Sequence, residues 1–115
     1  CKILHDVIIG AVADGAGSAI YADVGAKLAV DTVLECLTKE KFSGLAPDEA
    51  EARELFTKVV NQVVATLEAQ AVSKGYAIAE LSCTLLAFVA TPTWVAAMQI
   101  GDGFIVLRCQ HEQLE

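Results

Sequence analysis

The final third of the chain contains three apolar runs joined by short loops, and this pattern limits the fold more than any other feature. The runs cover residues 82–90, 94–100 and about 104–109, with residues 91–93 (TPT) and 101–103 (GDG) between them. Short loops of this kind connect neighbouring antiparallel strands. The sequence therefore predicts an antiparallel meander in this part of the chain.

A further strand and a pair of helices are predicted ahead of the meander. Residues 7–13 form a short apolar run that is typical of a buried strand. Ser18 is placed to cap a first helix that continues to about Thr38. Pro47, with acidic residues just after it, opens a second helix that ends at residues 74–75 (KG). Each helix carries an apolar stripe, and the stripe of the second helix is expected to pack against a sheet or against the first helix.

These elements predict an α+β fold, in which an antiparallel sheet packs against a pair of antiparallel helices. The strands are apolar nearly throughout, which is typical of a sheet covered on both faces. The helices can cover one face, and nothing else in the sequence supplies a cover for the other. Hydrophobic residues make up 55% of the chain, and the mean hydropathy is +0.51. This composition indicates either a well-buried core or a core that lacks part of its cover.

Composition and charge argue against several classes of function. No run approaches the ~18 uninterrupted apolar residues of a membrane span, so no membrane association is expected. The net charge of −7 argues against nucleic-acid binding, which normally requires a basic surface. The 4 cysteines form no CxxC pair, and reduced core thiols are the expected state. Together with the lack of a signal peptide, this favours a cytoplasmic protein.

A pair of aspartates follows apolar strand-like runs, each bracketed by glycine. Asp14 lies in residues 12–17 (VADGAG), and Asp102 lies in residues 100–103 (IGDG). A strand end fixes a carboxylate in space, and hard divalent cations such as Mg²⁺ or Mn²⁺ prefer such oxygen donors. The alternative is that both are turn residues, since Asp-Gly is a common hairpin signal. Asp14 is the less ordinary of the two, because a helix rather than a strand is predicted after it.

The order of these motifs resembles the metal-dependent protein phosphatases of type 2C, particularly the bacterial members. Residues 12–17 (VADGAG) resemble the family's Asp-Gly-x-Gly motif, and residues 23–30 (DVGAKLAV) resemble the helix after it. Residues 82–86 (SCTLL) are similar to the start of the central strand, and residues 100–104 (IGDGF) to the Gly-Asp hairpin. The similarity spans almost the whole chain, in the right order.

The resemblance implies a hydrolase that acts in signalling by removing phosphate from phosphoserine or phosphothreonine in proteins. The family fold is an α/β/β/α sandwich, and its two or three Mn²⁺ or Mg²⁺ ions activate a bridging water for attack on phosphorus. By position, Asp14 would bridge two ions, Gly15 would offer its backbone carbonyl, and Asp102 would bind the additional ion of many bacterial members. No protein side chain is implied as a nucleophile, so the resemblance assigns no catalytic residue beyond these ligands.

The resemblance also implies that residues 1–115 form a single, truncated domain, the N-terminal portion of the catalytic domain. The motifs that supply the other metal-binding aspartates would fall beyond Glu115, and Ala16 stands where eukaryotic members carry histidine. Low or no activity of this chain alone is therefore expected. The alternatives are a non-catalytic, phosphatase-like module that binds or regulates a partner, and a plain α+β domain with coincidental turns.

The expected partner is a phosphorylated protein substrate. If one apolar face of the sheet is uncovered, we expect one of three arrangements. The chain forms a homodimer through that face, exchanges elements with a second chain, or needs the other half of the catalytic domain.

Overall fold

The structure, a computed structural model, describes residues 1–15, 20–42, 45–101 and 104–111. Within them, one antiparallel sheet packs against a pair of helices. The strands are β1 (Lys2–Leu4), β2 (Val7–Gly15), β3 (Cys83–Ala90), β4 (Trp94–Gly101) and β5 (Phe104–His111). The helices are α1 (Ala22–Thr38) and α2 (Glu49–Lys74), and a short 3₁₀ helix (Ile78–Leu81) connects α2 to β3. The predicted fold class is confirmed.

The described strands lie in the sheet in the same order as in the chain, β1-β2-β3-β4-β5, and each pairs antiparallel with its neighbours. The meander predicted for β3, β4 and β5 is therefore confirmed. Both helices belong to the connection between β2 and β3. The sequence did not predict β1, because a strand of 3 residues is too short to show an alternating pattern.

The first helix begins later than its sequence predicts. Ser18 lies outside the described residues, and α1 begins at Ala22 with Tyr21 at the N-cap and no side-chain cap. Tertiary contacts fix this end instead. The Tyr21 N–H donates to the Glu80 carbonyl oxygen at 2.9 Å, and Ala22 packs directly against Gly15. The predicted start at Ser18 was wrong, whereas the predicted end at Thr38 is confirmed.

The second helix is defined by its own sequence. The Asp48 carboxylate accepts the Glu51 N–H at 2.7 Å, and the Glu51 carboxylate accepts the Asp48 N–H at 3.3 Å. This reciprocal capping box places the start at Glu49, two residues after the predicted Pro47. The predicted end is confirmed, since α2 finishes at Lys74 and Gly75 is its C-cap.

The helices run antiparallel to each other and cover one face of the sheet. Lys58 of α2 forms an ion pair of 2.7 Å with Glu40, just beyond the end of α1, whereas Gly25 near the start of α1 packs against Leu81 after the end of α2. Beneath them the side chains on one face of the strands are buried. The most buried of these are Ile9, Ala87, Val89, Ala96 and Met98. They form one core with Val33, Leu37, Phe56 and Val59 of the helices.

The opposite face of the sheet carries apolar side chains that no described residue covers. Ile8, Val12, Leu86 and Val95 are 39%, 61%, 39% and 43% exposed. The register explains the segregation, because Val12 pairs with Leu86 and Ile9 pairs with Val89, so alternate residues of each strand face opposite sides. This agrees with the expectation that the helices cover only one face.

Among the described helices, none combines the length and the apolar character that crossing a bilayer requires.

Candidate functional site

Several strand termini meet at one end of the sheet. β2 ends at Gly15, which pairs with Cys83 at the start of β3, and Leu85 of β3 pairs with Ile100 near the end of β4. The end of β2 and the end of β4 therefore lie on either side of the start of β3. At the usual spacing between strands, about 10 Å separates them. The topology thus brings two strand ends to one edge of the sheet. Asp14 belongs to the first, the end of β2, and Asp102 follows the second, the end of β4.

Asp14 lies at this edge with an exposed side chain. It pairs with Thr84, two residues after the Val12–Leu86 pair, so its side chain belongs to the face that the helices leave uncovered. The Thr84 hydroxyl donates to the Asp14 backbone carbonyl at 3.4 Å, a long and weak hydrogen bond. The carboxylate itself is available to a ligand from solvent.

Gly15 lies where a side chain would not fit. A Cβ added to it would sit 2.5 Å from the Ala22 Cβ, closer than real side chains approach each other. The lack of a Cβ lets the end of β2 contact the first residue of α1 directly. The segment between them, residues 16–19, which includes Ala16 and Ser18, lies outside the described residues.

Asp102 also lies outside the described residues. The backbone on either side of it is described: Gly101 ends β4 and pairs with Phe104 at the start of β5. The predicted hairpin between β4 and β5 is therefore confirmed, and Gly101 and Phe104, which flank its turn, lie at the same end of the sheet as Asp14. The distance between the two aspartates stays a prediction.

Cys83 pairs with Gly15 and is the cysteine placed nearest this edge among the described residues. Burial raises the pKa of its thiol above the ordinary value. A thiol with a raised pKa stays protonated near neutral pH, and the protonated form is neither a good nucleophile nor a good metal ligand.

The oxygen donors at this edge fit a hard cation but do not enclose it. Among the described residues, no three histidine, cysteine or acidic side chains come together in a geometry that could hold a metal ion. The Asp14 carboxylate and the Gly15 backbone carbonyl are donors of the kind that Mg²⁺ and Mn²⁺ select. Mg²⁺ typically keeps several waters and takes only one or two protein carboxylates, so a partial set of this kind suits it.

A cleft of about 780 Å³ lies at the other end of the sheet. It is lined by the β1–β2 turn (His5, Asp6), by Lys41 and Phe42 after α1, and by the β3–β4 loop. No feature of the sequence predicted it, and its distance from Asp14 separates it from the candidate site.

Sequence reasoning proposed Asp14 and Gly15 as site residues but did not find the groups that contact them. The contact of Thr84 with Asp14 depends on strand register, which joins residues 70 positions apart. Likewise, Tyr21 and Tyr76 stack on each other beside the start of α1, and no spacing rule relates them. The only sequence signal for Thr84 was its place at the start of the central strand.

Comparison with known proteins decides the family. The family model described as "Protein phosphatase 2C" matches residues 2–115. The chain belongs to the protein phosphatase 2C family. The resemblance drawn from the Asp-Gly-x-Gly motif and the Gly-Asp hairpin is therefore confirmed.

This member of the protein phosphatase 2C family is similar to a curated protein, Serine/threonine-protein phosphatase 3 of Escherichia coli (strain K12). The two are 34% identical over 101 residues. The aligned region covers 87% of this chain and 38% of the relative, so the chain spans well under half of that protein's length. No solved structure matches the chain closely enough to count as similar.

Proposed function

We propose that this chain is part of a metal-dependent protein serine/threonine phosphatase, a hydrolase acting in signalling. The observation that carries the proposal is the position of Asp14. In a chain of the protein phosphatase 2C family, the exposed Asp14 lies one residue before the end of β2, at the same edge as the β4–β5 turn whose sequence contains Asp102. The phosphatase named as a relative supports the same activity.

In this proposal the chain contributes oxygen ligands and no side-chain nucleophile. Asp14 would serve two Mn²⁺ or Mg²⁺ ions, Gly15 would offer its backbone carbonyl, and Asp102 would serve an additional ion. Such ions supply a water activated for attack on phosphorus and neutralise the charge of the phosphoryl group. The weak hydrogen bond from Thr84 to the Asp14 backbone, 3.4 Å long, and the packing of Ala22 on Gly15 hold the ligand pair at the end of β2.

The proposed substrate is a phosphoserine or phosphothreonine of another protein, as the name of the curated relative suggests. Residues 1–115 would be one truncated domain that forms a helix layer and a sheet layer of the sandwich, with low activity alone. The described cysteines are free thiols, which supports a reducing compartment such as the cytoplasm.

We also propose that two copies of this chain associate through the uncovered face of the sheet. Val12, at 61% exposed, and Val95, at 43%, belong to a patch that continues across β2, β3 and β4. Apolar patches of this kind on soluble proteins usually mark contact surfaces. A second copy, an exchanged element or a further part of the domain would each remove the patch from water.

The test of the metal site is Mn²⁺ binding, followed by electron paramagnetic resonance, together with Mn²⁺-dependent hydrolysis of p-nitrophenyl phosphate. Asp14→Asn removes the charge and keeps the shape of the side chain. We expect it to weaken Mn²⁺ binding at least about tenfold, since removing a carboxylate ligand exceeds the effect of changing a supporting group. Any metal-dependent hydrolysis should disappear with it.

Asp6→Asn is the matched control, because Asp6 is an exposed aspartate at the other end of the sheet. It should bind Mn²⁺ as the original chain does. Equal Mn²⁺ binding by all three proteins would contradict the metal role of Asp14. Binding that depends on Asp14 without hydrolysis would support the metal site and favour a non-catalytic or incomplete module.

Sedimentation velocity tests the dimer. Leu86→Glu places a charge in the middle of the uncovered face and should shift the chain to monomer. Val72→Glu is the control, since Val72 lies on α2 and is 84% exposed. A monomeric original chain at high concentration would contradict the dimer.

A further inference from the structure

The start of α1 is attached to the connection between α2 and β3 rather than to its own preceding sequence. The rings of Tyr21 and Tyr76 stack nearly parallel, with centroids 3.7 Å apart and planes at 13°. Beside them, the Tyr21 N–H donates to the Glu80 carbonyl oxygen at 2.9 Å. The residue that caps α1 is therefore held by a ring contact and by a backbone hydrogen bond from the same connection.

The backbones also approach each other directly at the next turn of α1. A Cβ added to Gly25 would overlap the carbonyl of Leu81, so the helix lies on the 3₁₀ helix with no side chain between them. Leu81 is itself fully buried. The contact therefore joins two well-packed elements, and small movements of one are transmitted to the other.

The connection that carries Tyr76 is internally bonded. The Tyr76 N–H donates to the Ala71 carbonyl at 2.8 Å, which ties it to the last turn of α2. Further along, the Glu80 N–H donates to the Ala77 carbonyl at 2.9 Å, and the Ser82 hydroxyl donates to the Ala79 carbonyl at 2.8 Å. These hydrogen bonds fix the position of Tyr76 relative to the end of α2.

From Tyr21 the contacts continue to the candidate site. Ala22, the next residue, packs on Gly15, which directly follows Asp14. On its other side Asp14 is contacted by Thr84, which belongs to the strand that the same connection enters. The Asp14-Gly15 pair is thus held by its strand pairing with Thr84 and Cys83 of β3 and by the packing of Ala22 of α1, and residues 75–82 contact α1 and lead into β3.

We infer that Tyr76 is a positioning residue for the Asp14-Gly15 pair, acting through its stack on Tyr21 and through the packing of Ala22 against Gly15. Only the consequence for metal binding rests on the proposed function. The placement of the pair is a property of the fold and can be measured without any metal.

The test measures amide hydrogen exchange by mass spectrometry on the original chain, Tyr76→Ala and Tyr76→Phe. Tyr76→Ala should raise exchange in a peptide covering residues 12–22 by about fivefold relative to residues 91–98, the size expected for loss of one aromatic stack. Tyr76→Phe keeps the ring and should restore slow exchange. In the same proteins, Mn²⁺ binding should weaken up to about fivefold in Tyr76→Ala only, because the coupling cannot exceed the stack that carries it.

Val59→Ala is the control for general destabilisation, since Val59 is a buried residue of α2, the helix that precedes Tyr76, and takes no part in the stack. It should raise exchange in both peptides equally and leave Mn²⁺ binding unchanged. Uniform exchange in Tyr76→Ala, or a failure of Tyr76→Phe to rescue it, would overturn the inference. A third outcome separates the two proposals. If Tyr76→Ala raises exchange only in residues 12–22 but Mn²⁺ binding does not depend on Asp14, Tyr76 remains a positioning residue and the metal site is removed from the proposed function.

Discussion

The two faces of the sheet are built by alternate residues of the same strands, yet they have opposite environments. Ile9 and Val89 pair with each other under the helices, and both are fully buried. Val12 and Leu86 pair on the other face and are 61% and 39% exposed. Both pairs are apolar, so residue type does not distinguish the faces. The difference lies in what packs on them.

This comparison indicates where the stability of the chain comes from. Burial of apolar surface contributes roughly 25 cal/mol per Å² removed from water, and the helix side removes nearly all of its area. The other face keeps about two-fifths or more of the surface of its large apolar side chains in water, so it contributes less until something covers it. The candidate site belongs to this second face, since Asp14 lies two residues after Val12 on the same strand.

The largest loss of unfolding free energy is expected from removing a large side chain between the helices and the covered face of the sheet. Phe56 of α2 is 1% exposed and belongs to the core formed by the helices and the sheet. Phe56→Ala should lower the free energy of unfolding by about 3–5 kcal/mol, through lost burial and the cavity that remains. Urea denaturation measures this. Val72→Ala, at a side chain 84% exposed on the same helix, should change it by less than about 0.5 kcal/mol.

A matched pair of valines compares the faces directly. Val89→Ala, on the covered face, should cost about 2 kcal/mol of unfolding free energy from two buried carbon groups and the space they leave. Val12→Ala, on the uncovered face, should cost about 0.5 kcal/mol or less. Equal losses in urea denaturation would mean that the second face is covered in solution.

The helix layer also depends on how α2 begins. Asp48→Ala removes the side chain that accepts the Glu51 N–H at 2.7 Å and should cost about 1 kcal/mol of unfolding free energy. Asp48→Asn keeps an oxygen acceptor and should recover most of it. Thermal unfolding of both variants checks this, and an equal loss in the two would show that charge rather than the cap is responsible.

The smallest effect is a dependence of stability on alkaline pH. Burial raises the pKa of the Cys83 thiol above the ordinary value of 9.0, so the folded chain retains this proton at a pH where the unfolded chain has lost it. The contribution is therefore complete below pH 9.0 and declines as the pH rises through the folded-state value. Burial, with Glu35 as a smaller cause, raises the pKa of Cys36 in the same direction.

Urea denaturation on either side of that pH should show the decline in the original chain and a weaker decline in Cys83→Ala. Cys1→Ala changes an exposed thiol and serves as the control. If Cys83→Ala left the decline of the unfolding free energy with pH unchanged, the pH dependence would belong to other ionisable groups.

The prediction of the fold succeeded where the signal was local. The boundaries of β3, β4 and α2 are within about two residues of those expected from runs of apolar residues, loops and caps, as is usual for element ends. The start of α1 was missed because the packing of Ala22 on Gly15 and a hydrogen bond from Tyr21 to Glu80, 59 positions apart in the chain, replace a side-chain cap. For the candidate site, the motif proposed Asp14 and Gly15, which stay predictions, whereas no local signal pointed to the contacts of Thr84 and Tyr76.

The sequence by itself determined the α+β class, the meander and the family, because periodicity, short loops and a glycine-flanked aspartate are properties of neighbouring residues. Only the tertiary structure decided which apolar face the helices cover, which residues hold Asp14 in place, and where α1 begins. These depend on strand register and on contacts such as the stack of Tyr21 on Tyr76, 3.7 Å apart in space and 55 positions apart in the chain. The physical reason is that burial and close packing are set by the partner surface, and no local pattern specifies that surface.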